Sequence, residues 1–200
     1  MEPIIRKIRP LFFAACLLGV HLTAQNNDNP FELRKGALRS SGAISPGLMK
    51  DGDGANIYLH GNFDFFLSDH FSLRGDGFYY ITTTGGFNTF KKNHQLFSGF
   101  SFHAKPQGFS PYAGMLMGRS FTELNTPGIV FDPDVMGVCP VVSPHVGFNF
   151  YGEKYFHIFA EARYVTGRHF PEHLPPFSLN ELRFSFGLGW NINTMKKQTL

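Results

Sequence analysis

Residues 182 to 192, LRFSFGLGWNI, set Leu182, Phe184, Phe186, Leu188, Trp190 and Ile192 in unbroken alternation with Arg183, Ser185, Gly187, Gly189 and Asn191. Successive side chains of a strand point to opposite faces, so a period of two specifies a β-strand with one wholly apolar face and one small or polar face. A helix of this composition would scatter the apolar residues around its circumference. The same period recurs along the chain and predicts an all-β fold.

A second strand carries Ile57, Leu59, Gly61, Phe63, Phe65 and Leu67 on one face and Asn56, Tyr58, His60, Asn62 and Asp64 on the other. After a turn at Ser68-Asp69-His70, a third presents Phe71, Leu73, Gly75, Gly77, Tyr79 and Ile81 on the apolar side, with Arg74 and Asp76 opposite. The fourth and fifth are marked by Leu96, Phe100, Phe102 and Ala104 and by Ala113, Met115 and Met117. The sixth and seventh are marked by Val142, Val146, Phe148 and Phe150 and by Phe156, Ile158, Ala160, Ala162 and Tyr164. A weaker first strand falls within residues 31–46, so residues 31–192 contain eight strands. Pro111, Pro140 and Pro144 lack the donor a ladder uses, which predicts bulges or strand ends there.

Turn-forming residues divide these strands unequally. Tight turns at 68–70, 105–108 and 152–154 alternate with long polar connections at about 47–55, 84–93, 120–138 and 167–177. Aromatics flank the tight turns: Phe66, Phe71, Phe102, Phe109, Phe150, Tyr151, Tyr155 and Phe156, with Trp190 in the last strand. They predict a girdle at one rim. Antiparallel strands in sequence order, with tight turns at one end, predict an eight-stranded up-and-down barrel. The alternation is equally compatible with a soluble barrel whose Phe-rich face lies inside.

Arg6, Lys7 and Arg9 precede the apolar run Leu11–Val20, and Leu22-Thr23-Ala24-Gln25 follows. This is the pattern of a cleaved signal peptide, 1–24, ahead of a short polar lead, 25–30. The apolar run is shorter than the roughly 20 residues a spanning helix needs, so no transmembrane helix is expected in the exported chain. Ala14-Ala15-Cys16 is a poor lipobox, because Phe13 stands where an aliphatic is usual. Once residues 1–24 are removed, Cys139 is the sole cysteine and no intramolecular disulfide forms. The remaining 15 Lys+Arg against 14 Asp+Glu give no reason to expect nucleic acid. Residues 193–200 form a polar tail.

The less apolar face carries Asp64, Arg74, Asp76, His145, Glu161, Arg163, Glu181 and Arg183. Buried charge requires a partner, so these residues are expected to form a structural polar ladder inside the barrel. A three-residue hairpin at 68–70 pairs Leu67 with Phe71 and sets Asp64 opposite Arg74. The corresponding count around 152–154 pairs Phe150 with Phe156, His145 with Glu161 and Ser143 with Arg163. A register joining Glu161 to Arg183 also joins Arg163 to Glu181.

No catalytic, cofactor-binding or metal site is assigned. His60 with Asp64, and His157 with Glu161, stand four residues apart on a strand, about 13 Å at 3.3 Å per residue, too far to share an ion. Of the inward histidines His60, His103, His145 and His157, only cross-strand sets could chelate. Asp51-Gly52-Asp53-Gly54 lacks the later ligands of a calcium loop. The outward positions offer almost no Ser, His or acid for chemistry on lipid.

The signal, the alternating loops and the SPYAG and RFSFGLGW strands together resemble small bacterial outer-membrane β-barrel proteins of the OmpA transmembrane-domain type. The resemblance is architectural and covers about residues 31–192. It implies a transmembrane β-barrel in the bacterial outer membrane, with outer-membrane lipid and the barrel-assembly machinery as partners and a monomer sufficient for closure. It implies no single activity. A non-enzymatic barrel with a side-chain-filled lumen and extracellular loops for envelope structure or surface interaction is the leading expectation. A narrow conduit for small or hydrophobic molecules, a lipid-modifying enzyme and a soluble secreted ligand-binding barrel are the alternatives.

Overall fold

The structure is a computed structural model that describes residues 33–50, 54–86, 90–104, 108–125, 136–152, 155–170 and 176–193. The signal peptide, Cys16, the polar lead, the tail beyond 193 and the tips of several connections lie outside the described residues.

Eight long antiparallel strands close on themselves: β1 (Ala37–Met49), β2 (Ala55–Phe66), β3 (Phe71–Thr84), β4 (Phe90–His103), β5 (Phe109–Leu124), β6 (Met136–Phe150), β7 (Phe156–His169) and, after a two-residue strand β8 (Phe177–Ser178), β9 (Glu181–Asn193). Each long strand pairs with its sequence neighbour, β6 with β7 and β7 with β9, and β9 returns to β1. Following paired residues from Phe66 through Ser72, Ser101, Gly114, His145, Arg163, Arg183 and Gly47 leads back to β2 at Asn56. That stagger of ten residues per circuit sets the tilt of a narrow barrel whose interior side chains can fill.

The faces settle which side is apolar. Phe186 is 70 % exposed and Met117 68 %, whereas Arg183 and Asp64 are fully buried. The soluble, Phe-cored barrel is therefore overturned. A belt of exposed Leu, Ile, Val, Met and Phe surrounds the strands, as required by a hydrocarbon layer about 25 Å deep. At the rim of tight turns, Phe71 packs on Phe102, Phe109 on Phe148, and Phe156 near Trp190. Two expected girdle members turn inward: Phe66 and Tyr151 are buried with Leu33 and Ala37, closing the floor of the barrel.

Several boundaries differ from expectation. The first strand begins at Ala37 rather than residue 31, the first three long connections shrink to 50–54, 85–89 and 125–135, and the fourth shifts to 170–180. The first two are no longer than the turn at 104–108. Strand pairing persists through Thr82–Thr84 and Lys92–Asn93, where no apolar alternation marks it. The prolines produce no bulge: the β5–β6 register runs unshifted past Pro111, Pro140 and Pro144. Beside Pro144 the β6–β7 ladder only skips pairs between Val142–Thr166 and His145–Arg163. An antiparallel residue bonds to one neighbour at a time, so a missing N–H costs one side alone. The register shifts fall instead at Ile57/Tyr58 and Phe90/Lys92.

The lumen is packed in levels. Near the tight-turn rim lie Arg39, His103, Tyr112 and His157, at mid-height the charged residues, and above them an apolar cluster of Tyr58, Phe78, Tyr80, Phe90, Phe97, Leu116, Val141 and Val165. Inward glycines make room for it. A Cβ on Gly114 would strike the backbone of Phe100 and the His145 ring, and one on Gly187 would strike the backbone of Gly42.

Candidate functional site

The site is the charged interior. Eight ionisable side chains from β1, β2, β3, β7 and β9 project inward because they occupy the inward phase of their strands, and all are at most 4 % exposed. Arg39, Arg74, Arg163 and Arg183 face Asp64, Asp76, Glu161 and Glu181, so the buried Arg and carboxylate charges balance.

At the lowest level Arg39 donates to Asp64 Oδ2 from Nη2 at 2.7 Å and to the Tyr151 hydroxyl from Nη1 at 2.8 Å. Ser72 Oγ donates to the other Asp64 oxygen at 2.8 Å. One level up, Arg74 Nε donates to Asp76 Oδ1 at 2.8 Å and Arg74 Nη2 lies 2.6 Å from Glu161 Oε2. Arg163 bonds both Asp76 and Glu161, and the Tyr112 hydroxyl donates to Glu161 at 2.9 Å. Above these, Arg183 donates to Glu181 Oε2 at 2.6 Å, while Asn56 and Tyr58 donate to the same carboxylate. The Arg183 guanidinium stacks 4.0 Å from the Tyr58 ring centre, where the ring quadrupole favours a cation.

The expected ladder residues are therefore brought together, though not always with the expected partners. Asp64 and Arg74 are indeed register neighbours. Their ion pairs go elsewhere, Asp64 to Arg39 and Arg74 to Asp76 and Glu161. His145 lies opposite Arg163 rather than Glu161, and its Nε2 meets Ser101 Oγ at 3.0 Å. Phe150 pairs with Ile158, two residues beyond the expected Phe156. The cause is Tyr151, which folds under the floor to reach Arg39, so the chain travels farther before it reverses. In the closing seam Arg163 stands opposite Arg183, and Glu161 opposite Ser185, in place of the two expected Arg–Glu pairs. Glu181 and Arg183 bond each other along one strand instead.

Arg39, Tyr112 and Tyr151 complete the network; Arg39 and Tyr112 were not singled out in the sequence, and Tyr151 was expected in the outer girdle. Arg39 follows a weak alternation, with Ser40 and Gly42 on the outward face of β1. The signal that could have found it is its phase with Ser41 and Ala43.

A cross-strand set does converge: ligand atoms of His60, Asp76 and Glu161 lie within 4.8 Å of one another. Arg74 and Arg163 already neutralise both carboxylates, and a dication would have to displace guanidinium groups that are themselves buried. The arrangement is thus suited to filling and locking the lumen rather than to holding an ion.

No protein-family model and no curated protein sequence matches the chain. Among solved structures, the outer membrane protein OprG from Pseudomonas aeruginosa superposes with a TM-score of 0.62 at 10 % identity, covering 83 % of this chain and all of that one. The N-terminal β-barrel domain of Pseudomonas aeruginosa OprF gives 0.57 at 13 % identity, with coverages of 79 % and 98 %. Neisserial surface protein A gives 0.51 at 10 %, with coverages of 78 % and 96 %. The fold is that of an eight-stranded outer-membrane β-barrel.

Proposed function

We propose that this chain is an integral protein of the bacterial outer membrane, a non-enzymatic, monomeric barrel that serves envelope structure or surface interaction through its extracellular connections. The observation that carries this reading is the pairing of an apolar outer belt with a lumen crossed by ion pairs at three levels. Such an interior resists water and ions, and such an exterior needs lipid. The partners are outer-membrane lipid and the machinery that inserts barrels, and recognition falls to the connections at 125–135 and 170–180.

Two measurements test it. Mature protein folded in detergent should migrate differently on gels before and after boiling and should partition with outer membranes. In planar bilayers it should give no steady ohmic conductance. A soluble protein without heat-modifiability would refute the membrane assignment, and a stable open channel would refute the filled lumen.

A further inference from the structure

Just past the end of the β6–β7 ladder a thiol and an imidazole meet. Among the described residues that ladder ends at Val141–Gly167. Continuing its register by two residues brings Cys139 opposite His169, and both side chains are buried on the inward phase of their strands. Beyond Gly167, β7 pairs with β8 through Arg168–Ser178 and His169–Phe177, while β6 stays with β5 from Cys139–Ser120 to Met136–Glu123. The two strands therefore fork at the end of the barrel opposite the tight turns, and the Cys139–His169 contact spans the fork.

The contact is close, with Cys139 Sγ 3.1 Å from His169 Nδ1. Gly137 makes room for the ring, since a Cβ there would collide with His169 Cε1 and Nδ1. His169 is only 1 % exposed, yet its Nε2 has no hydrogen-bond partner among the described residues. A buried polar atom left unmet costs about 1–3 kcal/mol. Whichever tautomer the pair adopts, that nitrogen stays unmet, so a thiol–imidazole hydrogen bond by itself does not account for burying the ring. With Nε2 uncommitted, no bond on the far side fixes the imidazole, and it can turn to meet an ion.

The ligand set decides which ion. Among the described residues no third His, Cys, Asp or Glu atom converges with these two, so the protein cannot complete the four-coordinate shell of zinc. Val141 and Leu179 are buried in one cluster with Cys139, and Phe177 packs against it. A thiolate with a monovalent cation is neutral, whereas a divalent cation leaves a net positive charge against those apolar side chains, which burial opposes. Thiolate is a soft ligand that suits Cu(I), and imidazole also binds copper. At metal bonds of about 2.3 Å to sulfur and 2.0 Å to nitrogen, an ion bridging the present 3.1 Å subtends about 90°. A ring displacement of about 1 Å reaches the roughly 4.3 Å of linear two-coordination.

We propose that Cys139 and His169 bind one soft monovalent cation of the Cu(I) class, and that the bound ion clips β6 to β7 beyond the end of their ladder. The ion takes the place of the thiol proton, which leaves to solvent, and no electron is transferred. Cys139 is the sole cysteine after residue 24, so no disulfide within the exported chain competes for the sulfur. The site uses none of the residues of the charged interior. It goes beyond the envelope role proposed above and does not depend on it.

The test uses mature protein folded in detergent, with heat-modifiability checking the fold of every variant. Cu(I), held reduced by ascorbate without oxygen, is titrated in competition with bicinchoninate. One ion per chain is expected, with binding at least tenfold weaker in His169→Ala and lost from this site in Cys139→Ser. Zn(II) should bind at least a hundredfold more weakly than Cu(I). A second readout needs no variant: the free Cu(I) concentration that half-protects Cys139 from N-ethylmaleimide should be at least tenfold lower for the folded chain than for the chain unfolded in urea, where His169 no longer adjoins the thiol. Binding as tight in His169→Ala as in the unaltered chain shows an isolated thiol and overturns the site. Zn(II) binding equal to Cu(I), or half-protection at the same concentration folded and unfolded, overturns it as well.

Discussion

Glu161 is where the balance of buried charge is most exposed to a single substitution. Its carboxylate accepts from Tyr112 Oη and Arg163 Nε at 2.9 Å each and lies 2.6 Å from Arg74 Nη2. Glu161→Ala leaves four buried arginines facing three carboxylates, and Arg74 and Arg163 must then share Asp76. Breaking a buried pair by removing one partner costs about 3–5 kcal/mol, because the surviving charge cannot reach water. At a urea slope of about 2 kcal/mol per molar, the unfolding midpoint should fall by roughly 1.5–2.5 M. Trp190 is the sole tryptophan and is 55 % exposed on the outer face, so its emission reports the transfer from lipid to water. Adding Arg74→Met removes one charge of the opposite sign and should recover more than half of the loss. A shift below about 0.5 M for Glu161→Ala, or a double variant no better than the single one, would show that the network does not behave as a charge-balanced unit.

Glycines on the two faces should respond oppositely to alanine. Gly187→Ala drives a Cβ into the backbone of Gly42 and the Cβ of Ala43 and should cost about 1–3 kcal/mol in the same unfolding assay. Gly77→Ala meets nothing closer than Leu96 Cδ2 at 3.6 Å and should be neutral or stabilise by up to about 1 kcal/mol, so equal destabilisation at both sites would contradict the face assignment. Tyr151→Phe removes the acceptor of the Arg39 Nη1 hydrogen bond and should cost about 1.5–3 kcal/mol, with unchanged stability indicating that the floor is not held by that contact.

Much of this architecture is legible in local pattern. The phase of Leu182 through Ile192 assigns every one of those side chains to its face, because alternation is a property of extended backbone and needs no distant partner. The hairpin at 68–70 likewise places Asp64 beside Arg74, since a short turn leaves the register little freedom. Long connections carry no such constraint, and the polar continuation of strands at Thr82–Thr84 has no apolar signature to reveal it.

What the sequence determined by itself, then, was the number of strands, which side chains of a strand share a face and the need for buried charges to be paired. Tertiary structure alone decided who pairs with whom. Closure brings Arg39 within reach of Tyr151, 112 residues away, and sets Arg163 opposite Arg183. Alternation sorts side chains onto two faces but leaves open which face lies inside, the position around the axis and the height along it. The β6–β7 register, two residues from the one a tight turn predicts, and the register shift at Ile57/Tyr58 belong to the paired strands of the closed sheet, and no single strand carries a record of them.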